Sequence, residues 1–158
     1  SMILLGGFLA SYIVQVIGLS LLFIYTIFVL KVDYGNDFLA VVLLSLAGSL
    51  AGLSLGVTVS TLIKFSEGTK RGIIIAITMF WCYLSGMMGI STKYLFDKNL
   101  PFLNKVNPAG MITDGFYSLY YYGVGSRFEK NIISLIIFSL LLFLISLISL
   151  RRQKYDSI

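Results

Sequence analysis

Few side chains in this chain of 158 residues have the chemistry of a catalytic or ligand-binding group. There is no histidine, which excludes a histidine general base, a histidine-containing triad and a histidine metal site. The one cysteine, Cys82, stands in an apolar run, where an inert buried thiol is the expected role. Metal-ligand spacing and the phosphate-binding loop G-x-x-x-x-G-K-[ST] are also missing from the sequence. We therefore predict no catalytic, cofactor-binding or metal-binding residues and no enzymatic activity.

The charged side chains of segment 64–71 are the first candidates for recognising a partner. This segment reads KFSEGTKR and carries Lys64, Glu67, Lys70 and Arg71 between two apolar runs. A soluble partner protein could dock against such a short charged loop. A simple basic connector between two membrane segments would have the same composition, and composition alone favours this second interpretation.

A line of small residues, Gly48, Gly52, Gly56 and Ser60, is the second candidate for recognition. Residues four apart share one face of a helix, and glycine on that face lets another helix approach closely. The pattern predicts a tight helix pair, either at an interface that moves during function or in ordinary membrane packing. Both interpretations place this face against protein rather than lipid.

The segments that position these residues are four apolar runs without charge. Apolar residues make up 58% of the chain and charged residues 12%, against about 25% charged in typical soluble domains. Crossing ~30 Å of hydrocarbon takes about 20 helical residues, and a helix satisfies its own backbone groups in lipid. The sequence therefore predicts an all-α integral membrane protein forming a single transmembrane domain over 1–158, with four spans at about 2–30, 38–63, 72–90 and 132–150.

The basic residues predict how these helices are oriented. Six of the 12 lysines and arginines lie in two short segments, 64–71 and 151–158. Basic residues concentrate in cytoplasmic loops, so we expect these segments and both termini to be cytoplasmic and segments 31–37 and 91–131 to be external. In a membrane protein the net charge of +5 reports this orientation, and we expect no nucleic-acid partner.

Segment 91–131 is too long for a turn and too apolar for a free loop. Asn107-Pro108 is a helix-start signal, because proline suits the first helical position. The sequence therefore predicts two short helices that lie in or dip into the outer leaflet, one on each side of this dipeptide. The tyrosines of the segment are typical of an aromatic belt at the lipid headgroups, with stacking against a substrate as the less favoured alternative. Asp114 could cap a short helix, with a substrate contact as the alternative.

Several short motifs follow one another in the order found in a known family. They are a Leu-Ser-Gly end of a span, a proline before a short outer helix, an Asn-Pro step, an Asp-Gly-Phe-Tyr stretch and a basic end of the last span. Over nearly all its length, the chain resembles the membrane subunit of type-two ATP-binding-cassette (ABC) export permeases. The residues that carry the resemblance are Leu84–Gly89, Leu100-Pro101, Val106–Pro108, Asp114–Tyr117 and Leu150–Tyr155.

The resemblance implies a specific architecture and function. The four spans would be the third to sixth of a six-span permease, so the first two spans would come from elsewhere. Two permease copies or halves would pair with two cytoplasmic ATPase subunits, whose ATP hydrolysis drives export and which would face loop 64–71. The outer segment would form two re-entrant helices, whose marker residues are Pro101, Asn107, Pro108 and Asp114.

An alternative function needs no missing spans. A small four-helix immunity or assembly factor would act by binding a partner within the bilayer. The four predicted spans contain no Asp, Glu, Lys or Arg, which argues against an ion-coupled carrier, a proton channel or intramembrane hydrolysis. Both the permease and the alternative would be multi-pass proteins of the cell membrane.

Overall fold

The computed structural model describes residues 2–35, 37–99 and 101–155. Every regular element in these residues is helical, which confirms the predicted all-α class. The helices are α1 (Met2–Phe28), α2 (Phe38–Leu62), α3 (Glu67–Leu84), α4 (Ile90–Asn99), α5 (Pro101–Val106), α6 (Pro108–Tyr122) and α7 (Ser126–Tyr155). Residues 156–158 of the predicted cytoplasmic tail lie outside the described residues.

Three of these helices, α1, α2 and α7, are long and apolar enough to cross a membrane. Their qualifying segments are Leu5–Phe28, Phe38–Leu62 and Ser126–Leu150. Each exceeds the length of about 20 residues that the hydrocarbon core requires. The chain is therefore a multi-pass membrane protein.

The helix in the region of the remaining predicted span, 72–90, begins and ends earlier than the sequence suggests. α3 begins at Glu67, because the side chain of Ser66 accepts a hydrogen bond from a backbone N–H of the first turn. It ends at Leu84, since Gly86 adopts a left-handed conformation with φ of 84° that favours glycine. The 13 uncharged residues at the end of α3, Gly72–Leu84, span only about 20 Å.

α2 forms the centre of the fold and packs against α7, α6 and α1. Leu44 of α2 and Leu135 of α7 are both at 0% exposure. Small residues along α2 let the neighbouring helices approach these leucines closely. The other buried members of this cluster are Ala40, Ala47, Ala51, Met111 and Phe128.

α2 and α7 run parallel, and hydroxyl groups join their C-terminal halves. Thr58 Oγ1 lies 3.0 Å from Ser146 Oγ and 2.9 Å from the carbonyl oxygen of Leu142. One turn further along, Ser149 Oγ donates to the carbonyl oxygen of Thr61 at 3.3 Å. Hydrogen bonds between helices support packing in a membrane, where lipid removes the hydrophobic drive. These contacts also bring the two basic segments of the sequence to the same end of the molecule.

α1 lies antiparallel to α2 at the edge of the fold. Phe23, near its C-terminus, contacts Phe38 at the start of α2, with ring centroids 5.6 Å apart. Tyr12 donates a hydrogen bond to the carbonyl oxygen of Leu46 in the middle of α2. No part of the apolar window of α1 is buried within the chain. α1 therefore presents its apolar side chains to its surroundings.

Segment 91–131 contains parts of four helices rather than the two predicted. α4 and α5 precede Asn107-Pro108 and α6 follows it, so the predicted boundary is confirmed. α6 ends at Tyr122, the C-cap Gly123 has a positive φ of 71° that favours glycine, and α7 begins at Ser126. The last helix therefore starts six residues before the predicted 132–150 span, and α6 and α7 form a hairpin.

Candidate functional site

α2, α3 and α6 border a cleft of about 1530 Å³. Four residues between α1 and α2 and the turn 86–89 after α3 also line it; the four are Asp33, Tyr34, Gly35 and Asp37. Along α2 the lining extends from Val41 to Leu55, which is about 21 Å by the rise of a helix. Ligand pockets typically measure about 300–1,000 Å³, so this cleft has room for a drug-sized molecule. Its aromatic lining residues are Tyr34, Trp81, Phe116, Tyr117, Tyr120 and Tyr121.

Asn107 fixes the start of α6 against the end of α3. It is 1% exposed, and both polar groups of its side chain are paired. Oδ1 accepts from the backbone N–H of Ala109 at 3.0 Å as an N-cap, and Nδ2 donates to the carbonyl oxygen of Trp81 at 2.9 Å. Pro108 takes the first helical position, where its missing N–H costs nothing, and lines the cleft. These residues set the spacing of two cleft walls.

Asp114 joins α6 to α7 through a charged cluster. Arg127 Nε donates to Asp114 Oδ2 at 3.0 Å, and Arg127 Nη2 donates to Oδ1. Asn131 Nδ2 adds a hydrogen bond to Oδ2 at 2.8 Å. The two-pronged contact between guanidinium and carboxylate is directional as well as strong. Asp114 lies in the middle of α6, so the expected role as a helix cap is wrong, and it holds the α6–α7 hairpin together.

The electrostatic balance at Asp114 favours the ionised carboxylate. Burial raises its pKa, but hydrogen bonds from Arg127 and Asn131 outweigh this effect. The positive charges of Arg127 and Lys93 act in the same direction, and the pKa lies below its ordinary value of 3.8. The carboxylate is therefore charged at neutral pH and already engaged within the chain.

The charged segment 64–71 lies at the opposite end of the molecule and is partly helical. Lys64 stands in the connection between α2 and α3, whereas Glu67, Lys70 and Arg71 belong to the start of α3. Lys70 Nζ pairs with Glu67 Oε1 at 3.0 Å, and the Lys70 side chain is 17% exposed. Lys64 and Arg71 are exposed, and no ion pair is found for them among the described residues. They are the cations of this segment that a partner can reach.

The three glycines of α2 have different surroundings. A Cβ on Gly48 would lie 2.8 Å from Cδ1 of Ile112, so α6 approaches α2 closely at this point. A Cβ on Gly52 or Gly56 would meet no atom within 4 Å. Gly52 lines the cleft, whereas Gly56 lies beyond it. Within this chain, close packing therefore involves Gly48, and Gly52 leaves space in the cleft.

Segment 52–56 also fits the pattern G-x-S-x-G of a nucleophile elbow. That motif requires a strand, a sharp turn and a helix around the serine. Here Ser54 lies in the middle of α2, is 1% exposed, and its Oγ has no hydrogen-bond partner among the described atoms. The sequence has no histidine to act as its base. The match is therefore a consequence of small residues in a packed helix.

Several residues of the site were not singled out from the sequence. Arg127 and Asn131 are four apart on the first turns of α7, and only the α6–α7 reversal brings them to Asp114. Asp33 and Asp37 line the cleft from the loop after α1. Their spacing around a glycine was a visible signal for a turn. Pro101 begins α5, as a proline at a helix start should.

Comparison with known proteins yields one family. Residues 1–148 match the family model described as ABC-2 family transporter protein. No curated protein and no solved structure matches the chain. The match covers nearly the whole chain, including α1, α2 and most of α7, the three helices that can cross a membrane. The resemblance to type-two ABC permeases is thereby confirmed, and the chain belongs to the ABC-2 transporter family as a membrane portion of a permease.

Proposed function

We propose that this chain is the permease component of an ATP-driven exporter and forms part of its translocation pathway. The family match carries this proposal, and it favours the permease over the immunity or assembly factor. The cleft bordered by α2, α3 and α6 supplies a space in which cargo can bind. ATP hydrolysis takes place in a separate ATPase subunit, and a second permease subunit or half completes the pathway.

In this proposal α3 also crosses the membrane, in addition to α1, α2 and α7. Its apolar part is short, but Glu67, Lys70 and Arg71 occupy its first five residues, where they reach the headgroup region. α3 packs against α2 and α6 rather than standing alone. α4, α5 and α6 then form the re-entrant part of the outer leaflet. Tyrosines on the exposed end of α6 are suited to the membrane interface.

The proposed ATPase-facing end combines the start of α3 with the end of α7. The contact between Ser149 and Thr61 places the C-terminal ends of α2 and α7 side by side. Basic residues of the sequence follow both points, which supports a cytoplasmic location by the positive-inside rule. The N- and C-termini would then both be cytoplasmic, in the cell membrane. Exposed Lys64 and Arg71 are available for acidic groups of the ATPase.

Charge reversal tests this docking surface. The double substitution Lys64→Glu with Arg71→Glu should reduce the amount of ATPase that copurifies in mild detergent by about tenfold, because each new glutamate would repel the acidic groups of the ATPase that the cations attract. Reversal of Lys98 and Lys130, exposed at the other end, is the matched control and should leave copurification unchanged. Lys70→Glu should reduce copurification less than Arg71→Glu does, since Lys70 already forms an ion pair with Glu67 within the chain. Equal copurification by all variants would remove this end from the interface.

A further inference from the structure

We infer that the cleft between α2, α3 and α6 binds an amphipathic organic cation. The ligand's apolar body would lie along the cleft, and its positive charge would face Asp33 and Asp37. Treating this ligand as the exported cargo rests on the proposed permease function, whereas the binding itself does not.

The walls of the cleft have the chemistry for an apolar, aromatic body. Trp81 and Cys82 of α3 and Ile112 and Phe116 of α6 line the cleft. Met87 and Met88 in the turn after α3 add unbranched side chains, which adapt to ligands of different shape. The hydroxyl groups of Thr78 and Thr113 on these two walls already bond to carbonyl oxygens of their own helices, so they offer a strongly hydrated molecule little compensation for its lost water.

The charge of the ligand follows from the ionisable groups that line the cleft. Among the described residues lining it, Asp33 and Asp37 are the only acidic ones, and none is a lysine or arginine. Asp33 Oδ1 accepts a hydrogen bond from the backbone N–H of Gly35, and Asp37 makes no side-chain capping bond to α2. No lysine or arginine pairs with either carboxylate in the described part of the chain. A cation therefore finds two anionic groups without an internal counter-ion.

Lys93, the basic residue that contacts the cleft-lining residue Tyr117, already has partners within the chain. Lys93 Nζ lies over the ring of Tyr117 at 5.8 Å from its centroid, and its charge acts on Asp114. Lys93 is not among the residues that line the cleft. The aromatic rings of Tyr34, Trp81, Tyr120 and Tyr121 also line the cleft and can attract a cation. An organic anion of the same size would meet repulsion at the carboxylates.

Gly52 keeps the middle of the cleft open. A Cβ at this position would meet nothing within 4 Å, so a larger side chain would extend into the cleft without displacing the fold. Gly56, one turn further along α2, has the same empty surroundings but does not line the cleft. A large side chain at Gly52 should therefore block the cleft, and the same side chain at Gly56 is the matched control.

Binding can be measured without an ATPase. The full chain would be placed in nanodiscs of zwitterionic lipid and dialysed against radiolabelled tetraphenylphosphonium, with empty nanodiscs giving the lipid background. Tetraphenylborate, an anion of nearly the same size and shape, is the control ligand. We expect saturable binding of tetraphenylphosphonium and none of tetraphenylborate above background. Equal binding of both ions, or no saturable binding of the cation, would overturn the inference.

Two pairs of variants locate the bound cation. Gly52→Leu should abolish saturable binding, and Gly56→Leu should retain it. Asp33→Asn with Asp37→Asn should weaken binding by roughly tenfold, because the double substitution removes both opposite charges that attract the cation. Glu129→Gln, which removes an exposed carboxylate away from the cleft, should have no effect. Binding that is insensitive to both Gly52→Leu and the aspartate pair would place the cation elsewhere and refute the site.

The outcome is independent of the proposed function. Tetraphenylphosphonium binding with this pattern, but no ATPase partner, would leave the cleft as a cation site and reject the exporter. An ATPase partner without this binding would retain the exporter and reject the cation site.

Discussion

The two sides of α2 differ in how they meet their neighbours. Toward α7, Leu44 is fully buried and Thr58 makes hydrogen bonds to the other helix. Toward α3, no side chain packs against α2 at Gly52, because this glycine borders the cleft. One helix thus serves as a fixed support on one side and as the wall of an open space on the other.

The largest expected effect comes from the packed side. Leu44→Ala should lower the free energy of unfolding by about 2–5 kcal/mol, because it leaves a cavity beside Leu135 and Gly115. Thermal unfolding in detergent measures this change. Leu43→Ala, next to it in sequence but 48% exposed, is the control and should cost much less. Similar costs for the two variants would contradict the difference between the two sides of α2.

A smaller effect is expected where α6, a wall of the cleft, is tied to α7. Asp114→Asn should lower the free energy of unfolding by about 1 kcal/mol at neutral pH, because Arg127 loses its ionic partner. The loss is limited by solvent, since the Arg127 side chain is 61% exposed. Thermal unfolding again provides the measurement, and Glu129→Gln should leave stability unchanged. A neutral effect of Asp114→Asn would mean that the cluster does not hold the hairpin.

The same carboxylate gives this contribution a defined pH dependence. Since the folded pKa of Asp114 lies below 3.8, its stabilisation is complete above that value and is lost as pH falls through the folded pKa. The difference in melting temperature between the wild type and Asp114→Asn should therefore be constant from neutral pH to about pH 5 and should shrink below about pH 4. A difference that grows as pH falls would contradict the direction of the shift.

The smallest effect is expected at the hydroxyl contacts between α2 and α7. Thr58→Val keeps the shape of the side chain but removes its bonds to Ser146 and Leu142, and should cost about 0.6 kcal/mol, the usual value for hydrogen bonds between membrane helices. Thr78→Val is the matched control, because Thr78 bonds only to Ile74 within its own helix. If both variants lose the same stability, the contact between helices contributes nothing beyond the local bond.

The sequence predicts the helices well and their arrangement poorly. Long runs without charge marked α1, α2 and α7, because composition alone decides whether a segment suits lipid. Asn107-Pro108 marked the start of α6, since capping depends on adjacent residues. The end of α3 was missed because Gly86 carries a left-handed turn inside an apolar run. The early start of α7 was missed because Arg127 and Glu129, inside this helix, interrupt the charge-free pattern.

The candidate site is formed by contacts between residues that are distant in sequence, which local patterns do not predict. Glycine spacing marked a face of α2, but nothing in the spacing distinguishes Gly48, which α6 approaches, from Gly52, which borders a cleft. Asp114 was singled out, but its partner Arg127 lies 13 residues away and meets it only through the hairpin. Patterns within one helix identify faces, and the packing of several helices decides what each face contacts.

Affinity purification of the full chain from its native membrane in mild detergent, followed by mass spectrometry, tests the permease function most directly. We predict that a nucleotide-binding ATPase subunit copurifies with the chain in a constant ratio. Recovery of the chain alone, or with an unrelated membrane protein, would contradict the exporter and favour a protein that acts by binding a partner in the bilayer.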